Sequence, residues 1–155
     1  MPKRQSRLLI IDDDPVISAV YRKKFLDSGF TVEIAADASR GAASIIASAP
    51  DIVLLDLNLG ERSGLDLLRD LRSVPKFRDL PIVVITAEPE DSPMLAAANE
   101  SAVTGVLRKE EWSVEAVLSA VDWALKQPQR AAARAQAETA SFPERESAHV
   151  RRRYQ

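Results

Sequence analysis

Leu8-Leu9-Ile10-Ile11-Asp12-Asp13-Asp14-Pro15 packs an apolar run, three carboxylates and a helix start into eight residues. The apolar run is continuous rather than alternating, the pattern of a parallel strand covered on both faces. Asp14-Pro15 supplies an N-cap side chain and a proline at the first helical position, where its missing N–H costs nothing. A buried strand that ends in acid and turns at once into a helix opens a β-α-β unit.

The same pattern recurs along the chain. Ile52 to Leu55, Ile82 to Ile85 and the weaker Val103 to Leu107 are further apolar runs, and Thr31 to Ala35 is a fifth strand candidate. Helical spacing fills the gaps. Ser92-Pro93 repeats the capping device before Met94 to Glu100, and Ser113 caps a last helix. In that helix Val114, Val117, Leu118, Val121 and Leu125 recur at spacings of three and four, so they form one apolar stripe. Five strands alternating with five helices predict an α/β fold, a doubly wound five-stranded parallel sheet. Ligands of such sheets lie beyond the carboxyl ends of the strands, where strand order reverses.

Composition narrows the chemistry. The 155 residues are 46% hydrophobic and 28% charged, which is globular and not disordered. There is no Cys and only one His, so thiol nucleophiles, disulfides and the common imidazole or thiolate zinc sites are excluded. No apolar run approaches the ~20 residues that cross a bilayer. The basic start Met1-Pro2-Lys3-Arg4-Gln5-Ser6-Arg7 is followed by too short an apolar run for a secretory signal, so a soluble, cytoplasmic protein is expected. The net charge of -2 hides a split. Residues 1–126 carry 15 Lys/Arg against 20 Asp/Glu, whereas residues 127–155 carry six Arg against three Glu. An acidic body does not suit direct nucleic-acid binding. The boundary is therefore set at 126, followed by an Ala/Arg-rich tail or linker in which Arg130 to Ala140 could be part-helical. That tail is too short for a DNA-binding output domain. No glycine-rich loop suggests a nucleotide or flavin.

The strand ends carry the chemistry. Ile11 is followed by Asp12 and Asp13, Leu55 by Asp56, Ile85 by Thr86 and Ala87, and Leu107 by Arg108 and Lys109. One rim thus receives a carboxylate pair, a third carboxylate, a hydroxyl and an ammonium. Crowded carboxylates repel by several kcal/mol at intermediate dielectric, so they call for a cation, and hard Mg²⁺ with oxygen ligands suits them. A metal, a lysine and a hydroxyl around one carboxylate make a phosphoryl site, with Asp56 as the nucleophile that forms an acyl phosphate.

With these motifs in order, the chain resembles the receiver domain of bacterial two-component response regulators. The resemblance rests on Leu9 to Pro15, Asp51 to Leu59, Gly64, Ile82 to Ala87 and Lys109, and covers roughly residues 7 to 126. It implies a flavodoxin-like sheet of order 2-1-3-4-5. It implies that Asp12, Asp13 and Asp56 hold Mg²⁺, with Asn58 adding its backbone carbonyl. Asp56 would accept phosphate from a histidine kinase or a histidine phosphotransfer protein, Thr86 would hydrogen-bond the phosphoryl group and Lys109 would pair with it. Ala87 is small, as access to that group requires. Asn58 and Glu88 occupy two positions that tune self-dephosphorylation in the family, and the chemotaxis receiver has the same pair. Such a domain is a signalling switch and not an enzyme in the ordinary sense, although it labels itself from small acyl phosphates and slowly hydrolyses the product. Output goes to another protein or an output domain, through the fourth helix, fifth strand and fifth helix.

Three positions depart from the family pattern. Glu110 replaces the proline that usually follows the lysine with a cis bond. Without proline a cis bond costs about 2.5–4 kcal/mol, so a trans bond is expected with a rearranged loop. Val106 replaces the usual aromatic switch residue, which removes the ordinary route from Thr86 to the output face. Gly60 replaces a frequent proline and is expected to loosen its loop. Val106 and Glu110 support one alternative, a receiver-like docking scaffold that does not switch. A distant alternative is a haloacid-dehalogenase-type phosphatase with Asp12 as nucleophile, a reading that leaves Asp56 unexplained. Asp14 is read as a cap and not a ligand. Trp123 lies off the apolar stripe of its helix, where it is expected either to be half-buried by the tail or by nearby residues or to make a partner or homodimer contact. His149 and Arg151-Arg152-Arg153 are read as solvated tail residues, and Trp112 is left unassigned.

Overall fold

All five strand candidates become strands, and the intervening segments become helices. The computed structural model describes residues 4–110 and 113–127. In chain order the elements are β1 (Arg7–Ile11), α1 (Pro15–Asp27), β2 (Thr31–Ala35), α2 (Ala38–Ser48) and β3 (Ile52–Asp56). Then follow α3 (Gly64–Ser73), a short 3₁₀ turn (Pro75–Phe77), β4 (Ile82–Thr86), α4 (Pro93–Glu100), β5 (Gly105–Arg108) and α5 (Val114–Leu125). The expectations for Trp112, for the tail beyond Gln127, and for His149 and Arg151 to Arg153 lie outside the described residues.

The sheet has the order β2-β1-β3-β4-β5, and every pair is parallel. Successive strand residues point to opposite faces, which yields two cores. Leu9, Ile11, Val53, Leu55, Ile82 and Val84 pack with residues of α2, α3 and α4. Leu8, Ile10, Ile52, Leu54, Val83 and Ile85 pack on the other face with Tyr21 and Phe25 of α1 and with Val117, Val121 and Ala124 of α5. The central β1, β3 and β4 are buried almost end to end, whereas β2 at one edge is largely exposed and β5 at the other is half-buried.

Each helix starts on a side-chain cap. Asp14 accepts from the amides of Val16 and Ile17, Asp37 from Arg40, Ser63 from Asp66, Ser92 from Met94, and Ser113 from Ala116. A cap of this kind stabilises a helix by about 1 kcal/mol. The caps also fix where each chain segment leaves the sheet. Asp14 therefore serves as the expected cap. Trp123 stands 57% exposed, off the buried stripe of α5 as expected.

Candidate functional site

The order of the sheet reverses between β1 and β3, because β1 is paired on both sides while its chain neighbours leave in opposite directions. Asp12 follows the last residue of β1 and Asp56 is the last residue of β3. Both are only 4% exposed. Asp12 is pinned at the strand end: its amide donates to Ala35 O, and its Oδ1 accepts from the Asp14 amide at 2.9 Å. Asp56 is pinned in the same manner, with Oδ1 accepting from the Asn58 amide at 2.9 Å. Asp13 is exposed beside them, and one oxygen from each of Asp12, Asp13 and Asp56 lies within 4.8 Å of the others.

Lys109 closes the group from the end of β5. Its amide donates to Thr86 O at 2.7 Å, which ties it to β4. Its Nζ donates to Asp56 Oδ2 at 2.9 Å and lies 3.8 Å from Asp12 Oδ2. Burial alone would lower the pKa of this ammonium. The hydrogen bond and charge of Asp56, followed by the charges of Asp12 and Asp13, outweigh burial and raise it. Lys109 is thus held as a cation. Asp12 is shifted upward, first by burial and then, against the pull of the Asp14 amide, by the charges of Asp56 and Asp13. One ammonium against three carboxylates leaves excess negative charge. At these separations each carboxylate pair repels by about 3–4 kcal/mol with an effective dielectric near 20. An all-oxygen, hard, under-compensated donor set of this kind fits Mg²⁺.

Thr86 follows Ile85, the register partner of Asp56, so it ends the neighbouring strand at the same rim. It is fully buried, and its Oγ1 accepts from the Glu88 amide at 3.0 Å. Ala87 is exposed at the rim. The Glu88 carboxylate accepts from Ser92 Oγ at 2.6 Å. The structure therefore brings Asp12, Asp13, Asp56 and Lys109 into one group and sets Asn58, Thr86, Ala87 and Glu88 around it.

Gly64 has a specific task here. Its amide donates to Leu57 O at 2.9 Å, and a Cβ at this position would strike the backbone oxygen of Asp56 and the Cα of Leu57. Only glycine lets the start of α3 come this close to the acidic strand end. Gly60 sits at φ 79°, a left-handed conformation that suits glycine and that proline, fixed near φ −65°, cannot adopt. There is no cis peptide bond among the described residues, as expected from Glu110, whose carboxylate lies 3.7 Å from Arg108. Val106 is half-buried and packs against the core on the α2–α4 face.

Sequence reasoning missed two contributors. Tyr21 is buried on α1 and its phenol pKa is raised, first by burial and then by the charges of Asp12 and Asp56. Its spacing from Ser18 and Phe25 marks a buried helix face but does not reveal that the ring nears the acidic rim. Arg72 reaches from α3 to three carbonyl groups, two of them about 30 residues away, and no local pattern encodes that.

Fold and rim together define an α/β domain with an acidic, lysine-closed group at the switch point of its sheet. The chain belongs to the response regulator receiver domain family, whose model matches residues 8–122. It is 34% identical over 96 residues to the response regulator MprA of Mycobacterium ulcerans (strain Agy99), covering 62% of this chain and 40% of that protein. It is 36% identical over 81 residues to the DNA-binding dual master transcriptional regulator RpaA of Synechocystis sp., covering 52% and 34%. The matched region spans about two fifths or less of these relatives. Among solved structures, the chain is similar to a CheY-like receiver domain protein of Methanospirillum hungatei JF-1, with TM-score 0.75, 21% identity, and 83% and 98% of the two chains covered. It is also similar to the chemotaxis protein CheY4 of Vibrio cholerae, with TM-score 0.70, 24% identity, and 78% and 99% covered. At that identity the structures speak for the fold, the flavodoxin-like order that the sequence resemblance implied. No helix among the described residues is long and apolar enough to cross a membrane.

Proposed function

We propose that this chain is a phosphoacceptor switch of a two-component phosphorelay, with residues 1–126 as the receiver and residues 127–155 as a tail or linker. An Asp56 carboxylate oxygen attacks the phosphorus of a phosphohistidine on a kinase or phosphotransfer protein. The P–N bond breaks, the imidazole keeps the electron pair, and an acyl phosphate remains on Asp56. Lys109 pairs with the new anion, and the Thr86 hydroxyl donates to it. Asp12, Asp13 and Asp56, with the Asn58 carbonyl, would hold Mg²⁺, which when bound neutralises the excess negative charge and so admits the incoming phosphoryl group. Ala87 leaves room for it. Asn58 and Glu88 flank the path of the water that later hydrolyses the acyl phosphate.

The observation that carries this reading is the Lys109 Nζ at 2.9 Å from Asp56, inside the three-carboxylate group. The ammonium is closer to Asp56 than to Asp12, at 2.9 against 3.8 Å, the order expected if Asp56 carries the phosphoryl group. That order and the family membership favour this reading over the haloacid-dehalogenase-type alternative. Incubation with acetyl phosphate and Mg²⁺, followed by intact mass, is expected to show one added phosphoryl group that disappears in Asp56→Asn. A label that survives in Asp56→Asn but is lost in Asp12→Asn would overturn the assignment, and no adduct at all would favour the docking scaffold. The role implies a cytoplasmic protein whose output partner docks on α4, β5 and α5. A second copy docking through Trp123 is part of the proposal, and sedimentation with and without a phosphoryl mimic tests it.

A further inference from the structure

The α4 helix is held differently at its two ends. At its carboxyl end, Arg72 Nε donates to Ser101 O and Nη2 to Ala102 O, both at 3.1 Å, while Nη1 donates to Phe77 O at 2.9 Å. A planar guanidinium shared among three carbonyls ties this end to α3 and the 3₁₀ turn, and its positive charge lies where the helix dipole favours a cation. At its amino end, α4 is joined to the rim by a chain of hydrogen bonds. Thr86 Oγ1 accepts from the Glu88 amide at 3.0 Å, Glu88 Oε2 accepts from Ser92 Oγ at 2.6 Å, and Ser92 Oγ caps the Met94 amide at 3.2 Å. Ser92 is almost fully buried, and the bond from its hydroxyl to a carboxylate is short and charge-assisted.

We propose that Ser92 and Glu88 form the link that reports the state of Asp56 to α4, with the Arg72 end as the fixed pivot; this rests on the phosphoacceptor reading above. A Thr86 hydroxyl that turns to donate to an anion on Asp56 loses its alignment with the Glu88 amide. The displaced Glu88 then pulls on, or releases, the serine that caps α4. No aromatic ring is needed at Val106 for this route. The helix moves at its amino end because the Arg72 end is bonded to α3 and the 3₁₀ turn.

Amide exchange of the full chain, read on peptides covering residues 92–104 with Mg²⁺ alone and with Mg²⁺ plus beryllofluoride, tests the link. Fluorine NMR reports adduct occupancy in the same samples. Ser92→Asp keeps a good cap but sets a carboxylate against Glu88, and Glu88→Ala removes the acceptor while leaving the cap; both are compared with the parent at equal occupancy. In the parent, beryllofluoride is expected to change exchange at residues 94–97, and in either variant that change is expected to shrink at least about threefold, as local opening at the helix start no longer depends on the rim. A full response in both variants, or none in the parent when the adduct has formed, overturns the link. No adduct in the parent overturns the phosphoacceptor reading and this inference with it.

Discussion

The acidic rim at β1 and β3 and the outer edge at β4, β5 and α4 are built to different standards. At the rim, two carboxylates are buried to 4% exposure, each is fixed by a backbone amide, and a helix start touches the strand end so closely that only glycine fits. At the outer edge, all four residues of β5 are half-buried and one guanidinium holds the end of α4. A site that must place charges within tenths of an ångström needs over-determined geometry, whereas a surface that responds to it needs contacts weak enough to exchange.

Gly64→Ala is expected to show the largest effect. Its Cβ would meet backbone on β3, which has no rotamer through which to yield. A loss of about 3 kcal/mol in urea unfolding is expected, together with loss of labelling by acetyl phosphate. If Gly64→Ala keeps both, the rim is less constrained than the contact implies.

Charge deletions at the rim should split by sign. Lys109→Met leaves the buried Asp56 carboxylate without its ammonium and is expected to cost about 2 kcal/mol in metal-free protein. Asp12→Asn removes one of three mutually repelling charges and is expected to raise metal-free stability by about 1 kcal/mol while weakening the Mg²⁺ response. Chemical denaturation with and without chelator separates the two. A destabilised Asp12→Asn would mean that its hydrogen bond to the Asp14 amide outweighs the repulsion.

The same repulsion has a pH signature. The raised Asp12 carboxyl contributes to metal-free stability fully below its ordinary value of 3.8, and that contribution is lost as pH rises through the raised native value. The thermal gain from Mg²⁺ is therefore expected to grow as pH rises from about 4 and to level off once Asp12 is ionised, as scanning calorimetry with and without chelator would show. A constant gain across that window would indicate that the ion is not answering carboxylate charge.

How much of this was legible in the sequence follows from the reach of each interaction. Strands β1, β3 and β4 were legible because both faces are buried, which leaves a continuous apolar run. Strand β5 begins at Gly105, two residues after the start of the apolar run at Val103. Thr104 takes the position next to Ile82 with its side chain and amide, accepting from the Ile82 amide and donating to Ile82 O, and the ladder proper begins at Gly105. The aspartates and Lys109 were legible because a strand end in a parallel sheet fixes where a side chain goes. The Glu88–Ser92 bond, the Tyr21 ring near the rim and the reach of Arg72 depend on loop shape and on pairs distant in sequence, for which no periodicity exists.

The smallest expected effect is the sharpest test of the contrast between centre and edge. Val84 and Val106 are register partners on adjacent strands, they carry the same side chain, and both pack into the core on the α2–α4 face. Val84 is fully buried and has strands on both sides, whereas Val106 is half-buried on the edge strand. Truncation to alanine removes the same two methyl groups from each. At Val84 the lost transfer energy is joined by a cavity that close-packed neighbours cannot fill, and about 2 kcal/mol is expected. At Val106 part of the surface is already wet and solvent can enter the gap, so about 1 kcal/mol or less is expected. Equal losses in denaturant unfolding would show that the edge is packed as tightly as the centre, and the responsive character assigned to this side of the sheet would have to rest on α4 alone.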